Sequence, residues 1–328
     1  MIINVPHLTD EFLNELGVID WGMTSEEKPT SWDNYEKWVS QNLSTPLTYL
    51  SDHRMPLRSS LKNIYPEFQT ALVFLFDYAP TKKWLIENKI YKYAAYTLGF
   101  EGGDYHHVIG ERLEKIGLEL KKNDPTLDFK ITLDVLPVLE RDLAFRAGLG
   151  WFGKNSMLIH RKYGSYFLIG SLLINQKIQT KEASVELDHC GQCTRCVDAC
   201  PTNAINPETR TIIANQCIST YTIEIFKEAP APEGIGKSRG EIFGCDICQD
   251  VCPWNKKYLG KITSVLKITE TFEHVNYLIE SNLETLYDKL SAMSGRSFKK
   301  WLKGTSFDRP GVIGWLKNIK SVKNHQPK

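Results

Sequence analysis

The spacing of the cysteines constrains this chain of 328 residues more than any other feature of its sequence. All eight cysteines lie between positions 190 and 252, and the first four form the run "CGQCTRCVDACP", which is Cys-x2-Cys-x2-Cys-x3-Cys-Pro. A disulfide framework is typical of secreted chains, and CxxC pairs alone would favour zinc. This spacing instead predicts iron–sulfur ligation, because in the bacterial run three cysteines bind one cluster and the fourth binds the other.

A second, shorter run supplies the rest of such a site. The stretch "GCDICQDVCPWN" gives Cys-x2-Cys-x3-Cys-Pro, and Cys217 upstream provides the cysteine that this run lacks. Crossed ligation divides the eight thiolates into two groups of four. The first cysteine set comprises Cys190, Cys193, Cys196 and Cys252, and the second cysteine set comprises Cys200, Cys217, Cys245 and Cys248. We expect two 4Fe–4S clusters that are close enough to exchange electrons.

The remaining composition is that of an ordinary globular chain, with 42% hydrophobic and 24% charged residues. Its length predicts two domains, and no apolar run is long enough for a transmembrane helix. The N-terminus lacks the basic and apolar regions of a secretory signal. We therefore expect a cytoplasmic protein that makes no membrane contact.

Charge is unevenly distributed along the chain, although the net charge is only +1. The segment from Arg296 to Lys328 holds nine Lys or Arg residues and one acid, Asp308, so it carries +8 and the remainder carries −7. A basic end on an acidic body favours a polyanionic partner such as RNA. A solvated tail explains the same pattern, and charge alone leaves both interpretations open.

Strands and helices alternate around the cysteine region. Residues 8–17 predict a helix capped by Thr9, residues 69–78 a buried strand, and residues 104–122 a helix that begins at Asp104. The apolar face of that last helix is predicted at Val108, Leu113, Ile116 and Leu120. Residues 129–139 predict a strand that ends near Pro137, before a short helix that stops at Gly148. The stretches "SMLIH" and "YFLIGSLLIN" predict a hairpin around a turn at 162–165, and the whole pattern indicates an α+β fold.

Nucleotide-binding motifs are absent from the sequence. It contains neither GxGxxG after a strand nor GxxxxGK[ST], so a Rossmann or P-loop site has no support. The cobalt-ligating pattern DxHxxG would need glycine at position 109, which is isoleucine, and Gly110 comes one residue late. Any cobalamin in this protein would therefore bind without a lower-axial histidine from that motif.

Several longer segments resemble the epoxyqueuosine reductase family. They are "YAAYTLGFEGGDYHHVIGERLEKI", "LDVLPVLERDLAFRAGLGWFGKNSMLI", "YGSYFLIGSLLIN", "CISTYTIE", "GCDICQDVCPWNKK" and "FKKWLKGTSFDRPG". The second of these is the closest to the family pattern, and together the segments extend over nearly the whole chain. Related members often continue into a helical-repeat tail, for which this sequence has little room after residue 320.

The resemblance implies a fold and a reaction. The fold is a nitroreductase-like or reductive-dehalogenase-like cobalamin-binding domain over residues 1–185, a ferredoxin-like two-cluster domain over 186–258 and a basic helical segment over 259–328 that contacts tRNA. The reaction reduces epoxyqueuosine to queuosine at the wobble position of tRNA, on cobalamin that the two clusters reduce. The implied partners are tRNA that carries epoxyqueuosine and an external low-potential electron donor, and we expect a monomer.

Asp134 is the candidate general acid, because it matches the catalytic aspartate of the family. An epoxide oxygen needs a proton as its C–O bond breaks. The apolar neighbours in "ITLDVLP" predict burial, which would raise the pKa of this carboxyl and keep it protonated. An aspartate that caps the turn before Pro137 is the alternative.

Further site residues follow from the resemblance. Cobalamin carries amide arms and a phosphate, which suit polar and basic side chains, and the candidate contacts are Arg58, Tyr105, His106, Asp134, Arg141, Lys154, Asn155, Ser156, Ser219 and Thr222. Arg141 also fits a structural ion pair with Glu140. The candidate contacts to tRNA phosphates are Lys256, Lys257, Lys299, Lys300 and Lys303.

Two other functions compete with this assignment. A corrinoid reductive dehalogenase-like reductase can share the corrinoid and the two clusters, but such enzymes usually carry an export signal, and none is visible here. A ferredoxin-type electron-transfer protein would have no use for the elaborate region between residues 90 and 175.

Overall fold

The structure, a computed structural model, describes residues 8–122, 124–178, 184–263 and 273–325. Its strands are β1 (Val18–Thr24), β2 (Thr70–Asp77), β3 (Phe129–Thr132), β4 (Trp151–Phe152), β5 (Leu158–Ile159), β6 (Phe167–Ile174), β7 (Ile205–Asn206) and β8 (Thr211–Ile212). Four of them form an antiparallel sheet in the order β1-β2-β6-β3. The pairs β4–β5 and β7–β8 form two small separate sheets.

Helices pack on both faces of the main sheet and continue to the end of the described chain. They are α1 (Asp10–Glu15), α2 (Trp32–Ser40), α3 (Ala79–Glu87), α4 (Tyr105–Lys121), α5 (Glu140–Arg146), α6 (Arg195–Ala199), α7 (Ile218–Ile223), α8 (Ile247–Asp250), α9 (Pro253–Leu259), α10 (Glu273–Glu280), α11 (Leu283–Ser291), α12 (Gly295–Trp301) and α13 (Gly311–His325). The expected mixed helix-and-strand fold is confirmed.

Strand β2 lies inside the sheet and fills two cores with one apolar run. Leu72 and Phe74 share a core with α4, whereas Val73 and Leu75 share a core with α5. Successive side chains of a strand point to opposite faces of the sheet, so a continuous apolar strand requires cover on both sides. The predicted buried strand at 69–78 is therefore confirmed, and the two covering helices carry the residues of the candidate site.

The predicted helix starts are also confirmed. Thr9 caps α1 by accepting a hydrogen bond of 3.2 Å from the backbone N of Phe12. Asp104 caps α4 by accepting one of 3.0 Å from the backbone N of His106. The buried face of α4 differs by one position from the expectation, because Ile109 is buried in place of Val108.

Two predictions about the strands that follow are wrong. Strand β3 ends at Thr132, because the chain leaves the sheet at Leu133 and Asp134 adopts a left-handed φ of +55° that no strand can continue through. The predicted hairpin does not form as a ladder: β5 pairs with β4, and β6 lies between β2 and β3. Only His160 and Gly164 form a bridge at its base.

The C-terminal segment is part of the folded core. Phe298, Phe307 and Trp315 are fully buried and share a core with Tyr93 and Phe243. The buried Lys317 on α13 donates hydrogen bonds to the carbonyl groups of Tyr221 and Ile225. Burial of this kind excludes a solvated tail for residues 273–325. No helix within the described ranges is sufficiently long and apolar to cross a membrane.

Candidate active site and cluster-binding cysteines

The eight cysteines are free thiols, of which Cys252 is buried and the other seven are half-buried. In the first cysteine set, burial and the charges of Cys190 and Cys193 raise the pKa of the Cys252 thiol. Burial and the charges of Cys190 and Cys252 raise the pKa of Cys196 to about 11. Charges influence one another this strongly only over short distances, so Cys252 lies beside a run that is far from it in sequence.

The second cysteine set converges in the same way. Burial and the charge of Cys200 raise the pKa of Cys217, and burial with nearby negative charges, including that of Cys217, raises the pKa of Cys245. Burial raises the pKa of Cys248, to which Cys217, Cys200 and also Cys196 of the first set contribute. Eight thiols in two adjoining groups of four fit the donor sets of two 4Fe–4S clusters. Within the described residues, no three His, Cys, Asp or Glu side chains are arranged to hold a single metal ion.

A buried ion-pair network anchors the loop that carries the second run of cysteines. The Nζ atom of Lys82 on α3 lies 2.9 Å from Asp246 Oδ2 and 2.7 Å from Asp250 Oδ1. The side chains of Lys82 and Asp246 are each only 3% exposed. Asp246 Oδ2 also accepts a hydrogen bond of 2.8 Å from the backbone N of Ala95. The network therefore links the loop around Cys248 to the body of the protein.

Asp134 stands at the edge of an open site and is not buried. Its side chain is 66% exposed, so the apolar environment expected from "ITLDVLP" is wrong for this structure. The reason is the left-handed backbone at φ +55°, which turns the chain away from the sheet. Tyr105 Oη donates a hydrogen bond of 2.7 Å to Asp134 Oδ2, and the backbone N of Asp134 donates one of 2.5 Å to Glu140 Oε1. These two bonds fix both the carboxylate and its backbone.

The groups next to Asp134 have strongly shifted acidities. Burial and the charge of Asp134 raise the pKa of Glu140 to about 8. Burial and the same charge raise the pKa of Tyr105 far above its ordinary value, so that its hydroxyl remains a donor. Of the two possibilities for Arg141, an ion pair with Glu140 is not seen among the described residues; the Arg141 guanidinium donates to the carbonyl and hydroxyl oxygens of Ser156.

His106 and Asp104 lie at the same end of α4 as Tyr105. His106 Nδ1 is 2.8 Å from Asp104 Oδ1, and His106 Nε2 is 3.9 Å from Asp134 Oδ2. Burial opposes ionisation of Asp104, but its hydrogen bonds from His106 lower the pKa of this carboxyl overall. The start of α4 therefore brings the imidazole of His106, the phenol of Tyr105 and the carboxyl of Asp104 close to the carboxyl of Asp134.

Several residues that the sequence did not single out also lie near Asp134. Burial and the charges of Glu224 and Asp134 raise the pKa of Tyr49 to about 12. Arg309 donates two hydrogen bonds of 2.8 Å to the carboxylate of Glu224. Arg309 occurs in the closing segment "FDRPG" that carries part of the family resemblance, which is a signal for it, whereas Tyr49 has no such signal in the sequence.

The candidate cobalamin contacts divide into two groups. Arg58 is buried and donates to the carbonyl of Tyr49 at 3.3 Å, while its Nη1 atom has no partner among the described residues. Such an orphaned guanidinium nitrogen fits a polar arm or a phosphate of a ligand. Arg141 and Ser156 are joined near Asp134, and Ser219 lies half-buried in the first turn of α7.

The other candidates use their polar groups within the fold. Asn155 donates to the carbonyl of Cys248 at 3.4 Å, and Thr222 Oγ1 donates to Ile218 and accepts from the backbone N of Gly244. Lys154 Nζ donates to the carbonyl of Gly191 at 2.7 Å, inside the first run of cysteines. Lys154 and Asn155 therefore connect the cysteine module to the rest of the protein, whereas the side chain of Thr222 bonds within the module.

The candidate tRNA-binding lysines separate into two places. Lys299 and Lys300 lie on α12 with Lys303 just after it, and the carbonyl of the next residue, Gly304, accepts a hydrogen bond of 2.8 Å from the backbone N of Asp104. An open cleft at this end is lined by Phe226, Lys299, Asp308, Arg309 and residues 310–313. In contrast, Lys256 and Lys257 lie on α9, directly after Cys252.

Two family models match the chain in the regions just described. Residues 58–135 match the model described as "Epoxyqueuosine reductase QueG, DUF1730". Residues 189–255 match the "4Fe-4S double cluster binding domain", and these residues include all eight cysteines.

Relatives and solved structures agree with these models. The chain is 33% identical over 308 residues to an epoxyqueuosine reductase from Cyclobacterium marinum, which covers 94% of the chain and 92% of the relative. The structure resembles that of an epoxyqueuosine reductase from Streptococcus thermophilus with a TM-score of 0.74 and 23% identity, over 95% of this chain and 79% of the other. It also resembles an epoxyqueuosine reductase solved with an epoxyqueuosine-modified tRNA-Tyr stem loop, with a TM-score of 0.71 and 24% identity, over 96% and 80% of the two chains.

Proposed function

The chain belongs to the epoxyqueuosine reductase family, and from that premise we propose that it reduces epoxyqueuosine in tRNA to queuosine at the Asp134 site. The observation that carries the proposal is that one chain contains both a 4Fe–4S double-cluster domain and an acid site whose Asp134 and helix α4 lie within the residues that match the epoxyqueuosine reductase model. This union gives no support to a simple electron carrier.

The reaction consumes two electrons and two protons for each epoxide. Both C–O bonds of the epoxide break, the two carbons form the alkene, and the oxygen leaves as water. The double-cluster domain is suited to the electron side of this reaction, because each 4Fe–4S cluster passes one electron at a time. We assign the two clusters to the first and second cysteine sets as defined above.

We propose that cobalamin is the group that the clusters reduce. When bound, cobalamin would supply the strongly reducing chemistry that opens the epoxide, which protein side chains cannot provide. The residues that fit it are Arg58, with its orphaned Nη1 atom, and the joined pair of Arg141 and Ser156. Tyr105 and His106 contribute polar groups on the Asp134 side. No residue in this set needs to ligate cobalt.

Asp134 is the proposed proton donor. Its carboxyl is exposed toward the open site, where the leaving oxygen of an epoxide can reach it. Tyr105 orients the carboxyl through the 2.7 Å hydrogen bond, and Glu140 holds its backbone. Because burial and the charge of Asp134 raise the pKa of Glu140 to about 8, Glu140 holds a proton beside Asp134 at neutral pH. That proton is available to the alkoxide that forms as the C–O bond breaks.

The tRNA is proposed to approach along α12 and the residues that follow it. Lys299, Lys300 and Lys303 lie on the segment that contacts the start of α4, so phosphates held there flank the Asp134 site. Phe226, which is 50% exposed in the adjoining cleft, offers a flat apolar surface for a base. The remaining pair of candidate lysines, Lys256 and Lys257, lies on another element, α9.

Reconstitution of the purified protein tests the proposed function. The protein should bind cobalamin, give EPR signals of reduced 4Fe–4S clusters, and convert an epoxyqueuosine-containing stem loop to queuosine with dithionite as reductant. Mass spectrometry of the nucleosides follows the loss of one oxygen atom. A protein that holds both clusters but binds no corrinoid would refute the cobalamin assignment, and a fully loaded protein without conversion would refute the function.

A further inference from the structure

The two cysteine sets differ in how their surroundings meet solvent. In the first set, every residue between the first three cysteines is exposed, namely Gly191, Gln192, Thr194 and Arg195. In the second set, the two residues between Cys245 and Cys248 are buried. A protein that delivers electrons must bring its own redox centre close to the cluster that it reduces, and the run of the first set offers a more open surface for this than the loop that carries Cys245 and Cys248.

The second cysteine set is connected to the Asp134 site by one short helix. Helix α7 begins directly after Cys217 and ends at Ile223, and the next residue, Glu224, pairs with Arg309 and influences Tyr49 beside Asp134. Electrons that reach the site from the second set must first arrive there from the first set. Electrons therefore pass from the protein surface to the first cysteine set, then to the second cysteine set, and finally to the Asp134 site.

The surface around the first cysteine set has unbalanced positive charge. Two of its acids are engaged within the fold: Asp188 pairs with Arg210 at 2.7 Å, and Glu186 contacts His189 at 2.8 Å. The exposed Asp198 accepts a hydrogen bond from Thr194 and offsets one of the nearby cations. The exposed side chains of Arg195, Lys256 and Lys257 have no ion pair with any other described side chain. Such a surface attracts partners that carry negative charge.

Exposed apolar groups lie among these cations. Leu187 is 78% exposed, and Trp254 is half-buried with its ring centroid 5.1 Å from that of Trp151 and 5.7 Å from that of His189. Lys257 Nζ lies 5.6 Å from the Trp254 centroid. A small apolar centre within a charged rim is the pattern of brief electron-transfer contacts, which bury little area.

We propose that a small, acidic one-electron carrier protein docks on this surface, here called the donor face and formed by Lys154, Leu187, Gly191, Arg195, Lys256 and Lys257. In each encounter the reduced carrier loses one electron, and the 4Fe–4S cluster of the first cysteine set gains it, with no bond formed or broken. Lys256 and Lys257 then serve the carrier and not the tRNA. The inference rests on the proposed function, because it assigns the place where the electrons for that reaction enter.

Charge reversal at the donor face tests the inference in the reconstituted protein. Stopped-flow absorbance follows reduction of the clusters by a reduced acidic 2Fe–2S ferredoxin, and separately by dithionite, which is too small to depend on docking. The variant Lys256→Glu/Lys257→Glu should slow reduction by ferredoxin by about tenfold or more at low salt, because it removes electrostatic steering. Its reduction by dithionite should slow much less, because this small anion needs no docking surface, and complete reduction also shows that the clusters are intact.

A matched control carries the same change in net charge elsewhere. Lys115→Glu/Lys130→Glu alters exposed lysines of α4 and β3, and should leave the rate with ferredoxin unchanged. If both double variants slowed reduction by ferredoxin equally, the effect would come from the overall charge of the protein, and the inference would be overturned. An unchanged ferredoxin rate in the Lys256 and Lys257 variant, together with weaker binding of the tRNA stem loop, would assign these lysines to RNA and also overturn it.

The same experiment separates the donor face from the proposed function. Formation of queuosine with dithionite as reductant does not use the donor face, so the variant should retain it. If the wild-type protein formed no queuosine with dithionite, the proposed function would be refuted. The donor face would not be affected, because cluster reduction by ferredoxin is measured without tRNA.

Discussion

Asp134 combines an unusual backbone with an exposed carboxyl. A non-glycine residue at φ +55° is uncommon, and aspartate and asparagine tolerate this region better than most residues. The hydrogen bond from its backbone N to Glu140 holds this conformation in place. Asparagine at this position therefore changes the acid and little else.

The variant Asp134→Asn should keep both clusters and the bound cofactor but lose epoxide reduction. Loss of a general acid lowers rates by about 10²–10⁴-fold. Single-turnover conversion of a modified stem loop, read by mass spectrometry, measures the effect. Near wild-type turnover in this variant would remove Asp134 from the mechanism.

The pH dependence of the rate should report Glu140. Because the pKa of Glu140 is raised to about 8, this carboxyl loses its proton as the pH rises through about 8, and the rate should fall there. Glu140→Gln keeps an oxygen that accepts from the backbone N of Asp134 but removes the carboxyl that holds this proton. In this variant the pH range over which the single-turnover rate falls should move to lower pH. An unchanged range would show that Glu140 takes no part in catalysis.

Sequence reasoning singled out Asp134 together with Tyr105, His106 and Glu140, but not its exposure. The apolar neighbours suggested burial, yet Val135 is 74% exposed because the chain leaves the sheet at this point. A left-handed residue has no reliable signature in a single sequence when it is not glycine. The convergence of Tyr49, Glu224 and Arg309 on this residue depends on contacts between distant segments, which local patterns do not reveal.

At the scale of elements, α3 supports the cysteine loop through Lys82. This lysine has two buried carboxylate partners, and removal of one member of a buried ion pair leaves uncompensated charge. The variant Lys82→Met should lower the free energy of unfolding by about 3–5 kcal/mol. It should also lower the iron content, because the loop that carries Cys245 and Cys248 loses its anchor.

An exposed pair provides the control for Lys82. Lys122 pairs with Glu119 on α4, but its side chain is 68% exposed. Lys122→Met should therefore change the free energy of unfolding by less than about 1 kcal/mol. Chemical denaturation followed by circular dichroism compares the two variants, and equal midpoints would show that the buried network is not an anchor.

The elements that sequence patterns predicted well are those defined by local chemistry. Thr9 and Asp104 are helix caps whose hydrogen bonds reach only two or three residues along the chain. The position of β6 between β2 and β3 was missed, because an apolar run such as "YFLIGSLLIN" does not specify its partner strands. The grouping of the cysteines into two sets stays a prediction from spacing, because it rests on the geometry that a cluster dictates and not on the fold.

At the scale of the whole molecule, the C-terminal helices place cations next to the acid site. The triple variant Lys299→Gln/Lys300→Gln/Lys303→Gln should weaken binding of the tRNA stem loop and lower the slope of log affinity against log salt by up to about 2. Fluorescence anisotropy at several salt concentrations measures this slope. The charge-matched variant Lys115→Gln/Lys130→Gln/Lys37→Gln, which alters exposed lysines on other elements, should leave it unchanged. An unchanged slope in the α12 variant would mean that these lysines are only solvated.

The proposed function of the whole molecule is the removal of the epoxide oxygen of epoxyqueuosine in tRNA. Mass spectrometry of nucleosides from the tRNA of a strain that lacks the protein tests this function most directly. We expect that epoxyqueuosine accumulates, that queuosine disappears, and that the wild-type gene restores queuosine whereas the Asp134→Asn gene does not. Normal queuosine in the deletion strain would contradict this function.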